Sequence, residues 1–324
     1  MNRLPDAAVT RLRDVAARPE AGERYEVLER VGEGGMGAVW RARDRLLDRD
    51  VAIKVLAPHL DGAEAAERLR REARILARLE HPGIVPVYDA GTLDDGRAWY
   101  AMKLVRGTPL GARAAASQGE VVRTVIRVAE TVAYAHANGV IHRDLKPGNV
   151  MTGGFGEVLV LDWGIAKVTG GAAAERSPVR QVSAEPEAAR GSAPLEMSTA
   201  AGTVLGTPGF MAPEQAQGAV DQVDARSDVF SLGAVLRSVS GPAIPRPLAS
   251  VIARATAPDP GGRYAGAAEL AADVARFLDR VPVLAHRETV AERLGRLYLK
   301  YQTPIILVLS YLAMRLLFLA WRGR

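Results

Sequence analysis

The stretch His142-Arg143-Asp144-Leu145-Lys146-Pro147-Gly148-Asn149 decides the reading of this chain. It sets an acid that can take a hydroxyl proton, a cation that can face a phosphate and an amide that can hold a metal ion at the spacing phosphoryl transfer demands. On that reading Asp144 orients and deprotonates the attacking hydroxyl, Lys146 neutralises charge on the transferring phosphoryl group, and Asn149 is a ligand for Mg²⁺. A run of this length and order is hard to produce by chance.

Working outward, Val158-Leu159-Val160-Leu161 is a fully apolar strand that ends at Asp162-Trp163-Gly164. An Asp leaving a buried strand just past such a loop is where a second Mg²⁺ ligand belongs, although an isolated Asp-x-Gly is an ordinary turn. Toward the N-terminus, Val51-Ala52-Ile53-Lys54 presents a lysine from a strand, suited to the α- and β-phosphates of a nucleotide. Alone it could simply snorkel to solvent. Glu72, in Arg71-Glu72-Ala73-Arg74-Ile75-Leu76 on the following helix, can pair with it and fix its direction. Gly32-Glu33-Gly34-Gly35-Met36-Gly37 fits G-x-G-x-x-G, a weak signal by itself. A dinucleotide-binding βαβ unit needs a helix after the glycines, whereas Ala38-Val39-Trp40-Arg41-Ala42-Arg43 is extended in character. A glycine-rich hairpin folded over phosphates is the better reading, with the glycines allowing close backbone approach and Val39 lying against a base.

The organisation changes along the chain. Short strands at Tyr25–Val31, Ala38–Arg43, Val51–Leu56, Val85–Val87 and Trp99–Met102 surround one helix from Ala63 to Leu79, where Leu69, Ala73, Leu76 and Leu79 recur at helical spacing. From Gly107 helical patterns dominate, as in Val121 to Asn138, which Gly139 is placed to stop, Val229 to Val239, and Ala267 to Leu278.

Taken together, these motifs resemble a bacterial Hanks-type serine/threonine protein kinase over roughly Tyr25 to Arg280, with Met211-Ala212-Pro213-Glu214 completing the series. The resemblance implies an α+β, two-lobed kinase fold. An N-lobe (25–105) with an antiparallel sheet and one regulatory helix precedes a mainly helical C-lobe (106–280), and residues 1–24 form an N-terminal extension. It implies ATP, with Mg²⁺ or alternatively Mn²⁺, in the cleft between the lobes. By resemblance Val31, Gly32, Gly34, Gly35, Met36, Gly37 and Val39 cover the nucleotide, and Ala52 and Met151 sandwich the adenine. Met102 is then the gatekeeper, and the backbones of Lys103 and Val105 meet the adenine edge. Lys54, Glu72, Asp144 and Lys146 form the catalytic set, and Asn149 and Asp162 the metal ligands. Asp228 is expected to cap the catalytic loop and Arg263 to pair with Glu214, both structural roles. Lys146 and Thr207 resemble the serine/threonine class, and Arg143 resembles kinases switched on by activation-loop phosphorylation.

Three departures bear on this carry-over. Trp163 stands where Phe is usual, keeping an aromatic that can stack between Leu76 and His142. Residues 169–202, rich in Ala, Glu, Ser, Pro and Arg, read as a disordered insert in the activation segment. Ser177, Ser183, Ser192, Ser198, Thr199 and Thr203 are candidate phosphorylation sites there, the two threonines foremost, against the plain alternative of incidental hydroxyls. Finally, Gly241-Pro242-Ala243-Ile244-Pro245-Arg246-Pro247 leads straight into what resembles the penultimate helix. The segment that usually helps dock protein substrates is missing, so docking must differ.

The tail argues separately. After a linker at 281–303, residues Pro304 to Trp321 are apolar except for Ser310 and Arg315, enough to cross a bilayer core of about 30 Å as a helix. A central Arg costs about 2.5 to 3.5 kcal/mol on an insertion scale, and each Leu, Ile, Phe or Val returns roughly 0.3 to 0.6, which leaves the sum near balance. The alternative is an amphipathic or core helix. Arg287, Arg293, Arg296 and Lys300 before the segment outweigh Arg322 and Arg324 after it, so the expectation is a single-pass inner-membrane protein with its kinase domain cytoplasmic.

Composition agrees. The 324 residues suffice for two lobes and an appendage, and 48% hydrophobic with 24% charged residues excludes general disorder. The absence of cysteine rules out disulfides and thiolate metal ligands. A net charge of +5 could suggest nucleic acid, but the basic residues are scattered among acids without stacking aromatics, and no nucleic-acid role is expected. Met1 to Pro19 lacks the continuous apolar stretch of a signal peptide. The expected reaction is transfer of the ATP γ-phosphoryl group to Ser or Thr hydroxyls of proteins, including autophosphorylation, in a protein that can homodimerise. A pseudokinase scaffold and a small-molecule phosphotransferase are the rival readings.

Overall fold

The computed structural model describes residues 18–322 apart from 35, 59, 61, 113–116, 165, 169–208 and 220–221. The expected insert, its candidate phosphorylation sites, Thr207 and Gly35 lie outside the described residues.

Strands β1 (Tyr25–Gly34), β2 (Gly37–Asp44), β3 (Arg49–Leu56), β4 (Val87–Thr92) and β5 (Ala98–Lys103) form an antiparallel sheet in the order β1-β2-β3-β5-β4. Successive side chains on a strand point to opposite faces, and β3 shows what this does. Val51, Ile53 and Val55 join Trp40, Ala42 and Ala101 in a core on one face. The alternate residue Leu56 joins Leu69, Ala73 and Leu76 of helix α1 (Ala63–Arg78) on the other. Lys54 shares that second face by parity, and so faces α1. On α1 the buried stripe is Leu69, Glu72, Ala73, Ile75 and Leu76, which sets a carboxylate among apolar neighbours.

The C-lobe continues the core that begins under α1. Helix α2 (Gln118–Ala137) starts at a capping box in which Ser117 and Glu120 bond reciprocally, and stops at Gly139, whose φ of 73° suits the left-handed region. Strands β6 (Gly107–Pro109), β8 (Val150–Gly153) and β9 (Val158–Val160) make a small sheet, and β7 (Val140–Ile141) pairs with β10 (Lys167–Val168). Helix α3 (Pro213–Ala216) is followed by α4 (Ala225–Val239), α5 (Arg246–Ala255) and α6 (Ala267–Leu278). No helix interrupts residues 240–245, as the sequence led us to expect.

Several boundaries differ from the sequence reading. The strand expected at Val85–Val87 lies later, at β4, because Pro86 has no N–H for a ladder; its carbonyl instead accepts the Lys103 N–H at 3.1 Å. The extension expected at 1–24 already belongs to the N-lobe at its end: Ala21 is buried and bridges Tyr25, and Arg24 reaches Asp44 and Asp89. The linker expected at 281–303 is a docked strap followed by helix. Helix α7 (Val290–Arg322) runs through Pro304, and its start is set by Thr289 and Glu292, whose side chains bond each other's backbone N–H at 3.3 and 2.8 Å.

Among the described residues no helix is long and apolar enough to cross a membrane, so the transmembrane span expected at 304–321 is not supported. The run is near the short limit for a span, and Ser310 and Arg315 dilute it. Its apolar side chains, among them Leu307, Leu309 and Leu316, are nonetheless exposed.

Candidate active site

The two lobes bring the predicted polar residues into two linked groups. In the first, Lys54 Nζ donates to both carboxylate oxygens of Glu72, at 2.7 and 2.8 Å, and lies 3.5 Å from Asp162 Oδ1. Burial pulls the Lys54 ammonium down, but Glu72 and Asp162 together outweigh it and hold the group above the ordinary lysine value. Glu72 is 2% exposed and also accepts a hydrogen bond from the Tyr100 hydroxyl at 3.0 Å. Burial and the Glu72 charge push that phenol well above its usual value, so it stays a donor.

The second group is the loop from His142 to Asn149, the expected catalytic loop. Lys146 Nζ donates to Asp144 Oδ2 at 2.8 Å, while Asn149 Nδ2 donates to the Asp144 carbonyl at 2.8 Å and to Oδ2 at 3.2 Å. The Asp144 carboxylate is thus aimed by two donors from its own loop. Its backbone N–H bonds His142 Nδ1 at 3.2 Å, and His142 Nε2 meets the Leu161 carbonyl at 3.0 Å. Because Nδ1 accepts, the ring proton sits on Nε2, and the imidazole ties the loop to the segment carrying Asp162.

Beneath the loop, Asp228 is fully buried and accepts the backbone N–H groups of His142 and Arg143, each at 2.8 Å, and bonds His136 Nε2 at 2.8 Å. Burial works against its charge, yet the hydrogen bonds from His136 and the backbone donors keep its carboxyl below the usual range. This clamp holds Arg143 at φ 73°, a left-handed conformation that a non-glycine residue adopts only when its surroundings impose it. Glu214 and Arg263 make the expected ion pair, and it is bidentate at 2.7 and 2.8 Å, with Ser227 Oγ on Glu214 at 2.7 Å. Arg263 also donates to the carbonyls of Ala257, Pro258 and Arg226, so the buried guanidinium is satisfied.

The residues expected to cover a nucleotide take these places. Val31, Gly32 and Gly34 end β1, Met36 forms the turn, and Gly37 and Val39 begin β2. Ala52 on β3 is directly opposite Met102 on β5, and Val39 on β2 is opposite Lys54. Lys103 ends β5, Val105 follows it, and Met151 on β8 is opposite Pro109. Gly37 is demanded by packing: a Cβ there would lie 2.0 Å from the Val55 carbonyl oxygen. Gly164 lies close against the site: a Cβ would be 3.2 Å from Glu72 Oε2, a tight contact, and 3.5 Å from Met36 Sδ, an ordinary one.

Two contributors were not read from the sequence. Tyr100 is opposite Lys54 across the β3–β5 ladder, so its role was recoverable only once strand pairing was known. Gln215 donates from Nε2 to the Arg143 carbonyl at 2.9 Å, a contact between segments with no local signal.

The residues present fit a hard divalent cation. Asp162 is half-exposed, and with its amide nitrogen committed to Asp144, Asn149 has an amide oxygen left to offer. Among the described residues there is no cluster of three or more carboxylate or imidazole groups. One carboxylate and one amide are a sparse protein set that suits Mg²⁺, which keeps waters and shares substrate phosphates.

Comparison with known proteins agrees with this geometry. The profile of the protein kinase domain matches residues 25–247. The DNA damage-responsive serine/threonine-protein kinase RqkA of Deinococcus radiodurans is 38% identical over 223 residues, covering 67% of this chain and 30% of that protein. Serine/threonine-protein kinase PknB of Mycobacterium leprae is 34% identical over 295 residues, covering 80% of this chain and 43% of that one. The crystal structure of the Mycobacterium tuberculosis PknI kinase domain superposes with a TM-score of 0.57 at 26% identity, covering 82% of this chain and 99% of that domain. The chain therefore spans less than half the length of these curated relatives. Two lobes, the Lys54–Glu72 pair and the Asp144 loop, in this order and with these matches, place the chain in the protein kinase family.

Proposed function

We propose that this protein is a serine/threonine protein kinase that transfers the γ-phosphoryl group of ATP to Ser or Thr hydroxyls of proteins and to its own activation segment. The observation that carries the reading is the continuous line of charge contacts from Glu72 through Lys54 to Asp162, beside an Asp144 already aimed by Lys146 and Asn149. Asp144 accepts the proton of the attacking hydroxyl. Lys146 holds that carboxylate in place and meets charge on the transferring group, and Lys54, fixed by Glu72, meets the α- and β-phosphates. Asn149 and Asp162 hold Mg²⁺, which neutralises phosphate charge when bound. Val31, Val39, Ala52, Met102 and Met151 enclose the adenine, with the Lys103 and Val105 backbones at its edge. A scaffold without catalysis needs none of this alignment, and the intact set of Lys54, Asp144, Asn149 and Asp162 argues against it. The test is the intact mass of the protein before and after incubation with Mg²⁺ and ATP, beside Asp144→Asn. Phosphate on the wild type alone, mapped to Thr199 or Thr203, is expected; none on either, with nucleotide still bound, overturns the catalytic reading.

The exposed apolar side chains of α7 favour contact of this segment with the cytoplasmic face of a membrane, and homodimerisation is a second way to cover them. Co-flotation of the full chain with vesicles, lost on truncation after residue 303, is the expected result. A dimer that does not float points to self-association instead.

A further inference from the structure

Asp162 carries a conformational burden that its own contacts do not explain. Its φ is 61°, in the left-handed region, its side chain is half-exposed, and its nearest cation is 3.5 Å away. Asp visits this region more readily than most residues, but holding it there in a fixed direction takes contacts from neighbours.

The neighbour that supplies them is Trp163. Its indole is 1% exposed and packs against the His142 ring, with centroids 4.6 Å apart. Its Nε1–H donates to the carbonyl of Val160 at 3.2 Å, reaching back to the end of β9 across Leu161 and Asp162. The next carbonyl, that of Leu161, meets His142 Nε2 at 3.0 Å, and the Leu161 N–H donates to the Asn149 carbonyl at 2.8 Å. Both carbonyls preceding Asp162 are therefore held by side-chain nitrogens, one of them belonging to the residue just after it. A phenyl ring at position 163 would fill the pocket but has no N–H to offer.

We infer that Trp163 is a positioning residue whose indole N–H closes the turn carrying Asp162, fixing that carboxylate toward the metal position before nucleotide or metal arrives. The inference rests on the kinase reading for the purpose of Asp162, but not for the bond itself. Turning the Asp162-Trp163 peptide out of place would break the Nε1 contact, leave the Val160 carbonyl without that donor, and draw a buried indole from beside His142.

The experiment replaces Trp163 in the full chain with 3-benzothienylalanine, which keeps the bicyclic shape and exchanges N–H for sulfur, and in parallel makes Trp163→Phe. Exchange of the hydrogen-bonded amides that flank the turn, Leu161 and Ala166, is followed without metal or nucleotide, and Mg²⁺ is titrated into protein with ATP to obtain its half-saturation for binding. The expected result for the isostere is exchange faster by about fivefold, the ratio one hydrogen bond supplies, and a half-saturating Mg²⁺ raised by a similar factor. The thermal midpoint should fall by only a few degrees, as the loss of one hydrogen bond predicts, and metal-free nucleotide affinity should stay unchanged. Unaltered exchange and Mg²⁺ dependence in the isostere overturn the inference. If Trp163→Phe does not fold, the isostere still decides. If the wild type binds no Mg²⁺-nucleotide at all, the kinase reading falls, and the exchange comparison continues to judge the bond.

Discussion

Asp144 and Lys54 show how far single residues account for the chemistry. Asp144 is held by two donors on one carboxylate oxygen, the Lys146 ammonium as an ion pair and the neutral Asn149 amide. Asp144→Asn keeps an acceptor oxygen for those donors while removing the carboxylate proposed to take the hydroxyl proton. A fall of about 10³-fold in kcat with ATP affinity unchanged is expected from steady-state kinetics and nucleotide titration. Lys54 behaves differently, because its partner Glu72 is buried. Lys54→Met leaves that carboxylate with the Tyr100 hydroxyl alone, and should lower unfolding free energy by about 3 to 5 kcal/mol in urea titration as well as abolish transfer. Lys54→Met with Glu72→Leu should recover most of the stability and none of the activity. At this scale the sequence was informative wherever the chemistry is carried by neighbours along the chain, as in His142 to Asn149. It was silent on Tyr100 and Gln215, whose roles depend on strand pairing and on a contact between distant segments.

Elements are held in register by small residues and by caps, and these were legible unevenly. Gly233 on α4 lies against α5 so closely that a Cβ would be 2.6 Å from Ala255 Cβ and 2.9 Å from Thr256 Cγ2. Gly233→Ala is expected to destabilise the C-lobe by about 1 to 3 kcal/mol through overpacking, seen as a lower urea midpoint with an unchanged slope. Nothing in the spacing of apolar residues distinguishes this glycine from one in a loop, since the constraint comes from a second helix. The start of α7 was the opposite case, a signal present but unread. Thr289-Val290-Ala291-Glu292 is a capping box, yet the apolar run beyond Pro304 drew the expected helix start well downstream. The Thr289 backbone, His286 and the Thr289 hydroxyl draw the Glu292 carboxyl down to about 2, against 4.5 for the free group. A depressed carboxyl contributes stability that is whole above the unfolded value and is lost as pH falls through the folded one. The first turn of α7 should hence stay ordered down to about pH 4.5 and fray between there and about pH 2. Chemical shifts of the Thr289 and Glu292 amides would follow it, and Glu292→Gln should erase the step.

For the whole molecule, the question is where the catalytic body ends. The kinase profile stops at residue 247, but the core does not. Leu248, Val251, Ile252, Tyr264, Leu270 and Val274 belong to the same buried cluster as the residues under α1, and Val283 joins it from beyond the last C-lobe helix. Asp273 on α6 explains why the chain turns back there. It is 1% exposed, and its carboxylate accepts the backbone N–H groups of Leu284 at 2.6 Å and Ala285 at 3.0 Å as well as the Tyr264 hydroxyl at 2.7 Å. Further along, His286 bonds Ser250 on α5 at 3.0 Å and Glu292 on α7 at 3.2 Å. Residues 281–286 thus act as a strap that closes the C-lobe, where the sequence suggested only a linker, because a buried Asp on an amphipathic helix does not announce which backbone it will receive. Ending the chain after residue 303 removes helix whose described side chains are exposed, and should leave the thermal midpoint and kinase activity of the body unchanged. Ending it after residue 280 strips two backbone donors from a buried carboxylate and uncovers the site of Val283, at a cost on the order of 3 kcal/mol. Asp273→Asn should mimic part of that loss in the full chain, since an amide accepts such bonds less well than a carboxylate. Calorimetry of the three proteins decides the matter: equal midpoints for the chains ending at 280 and 303 would mean that the strap is passive and the body closes at α6.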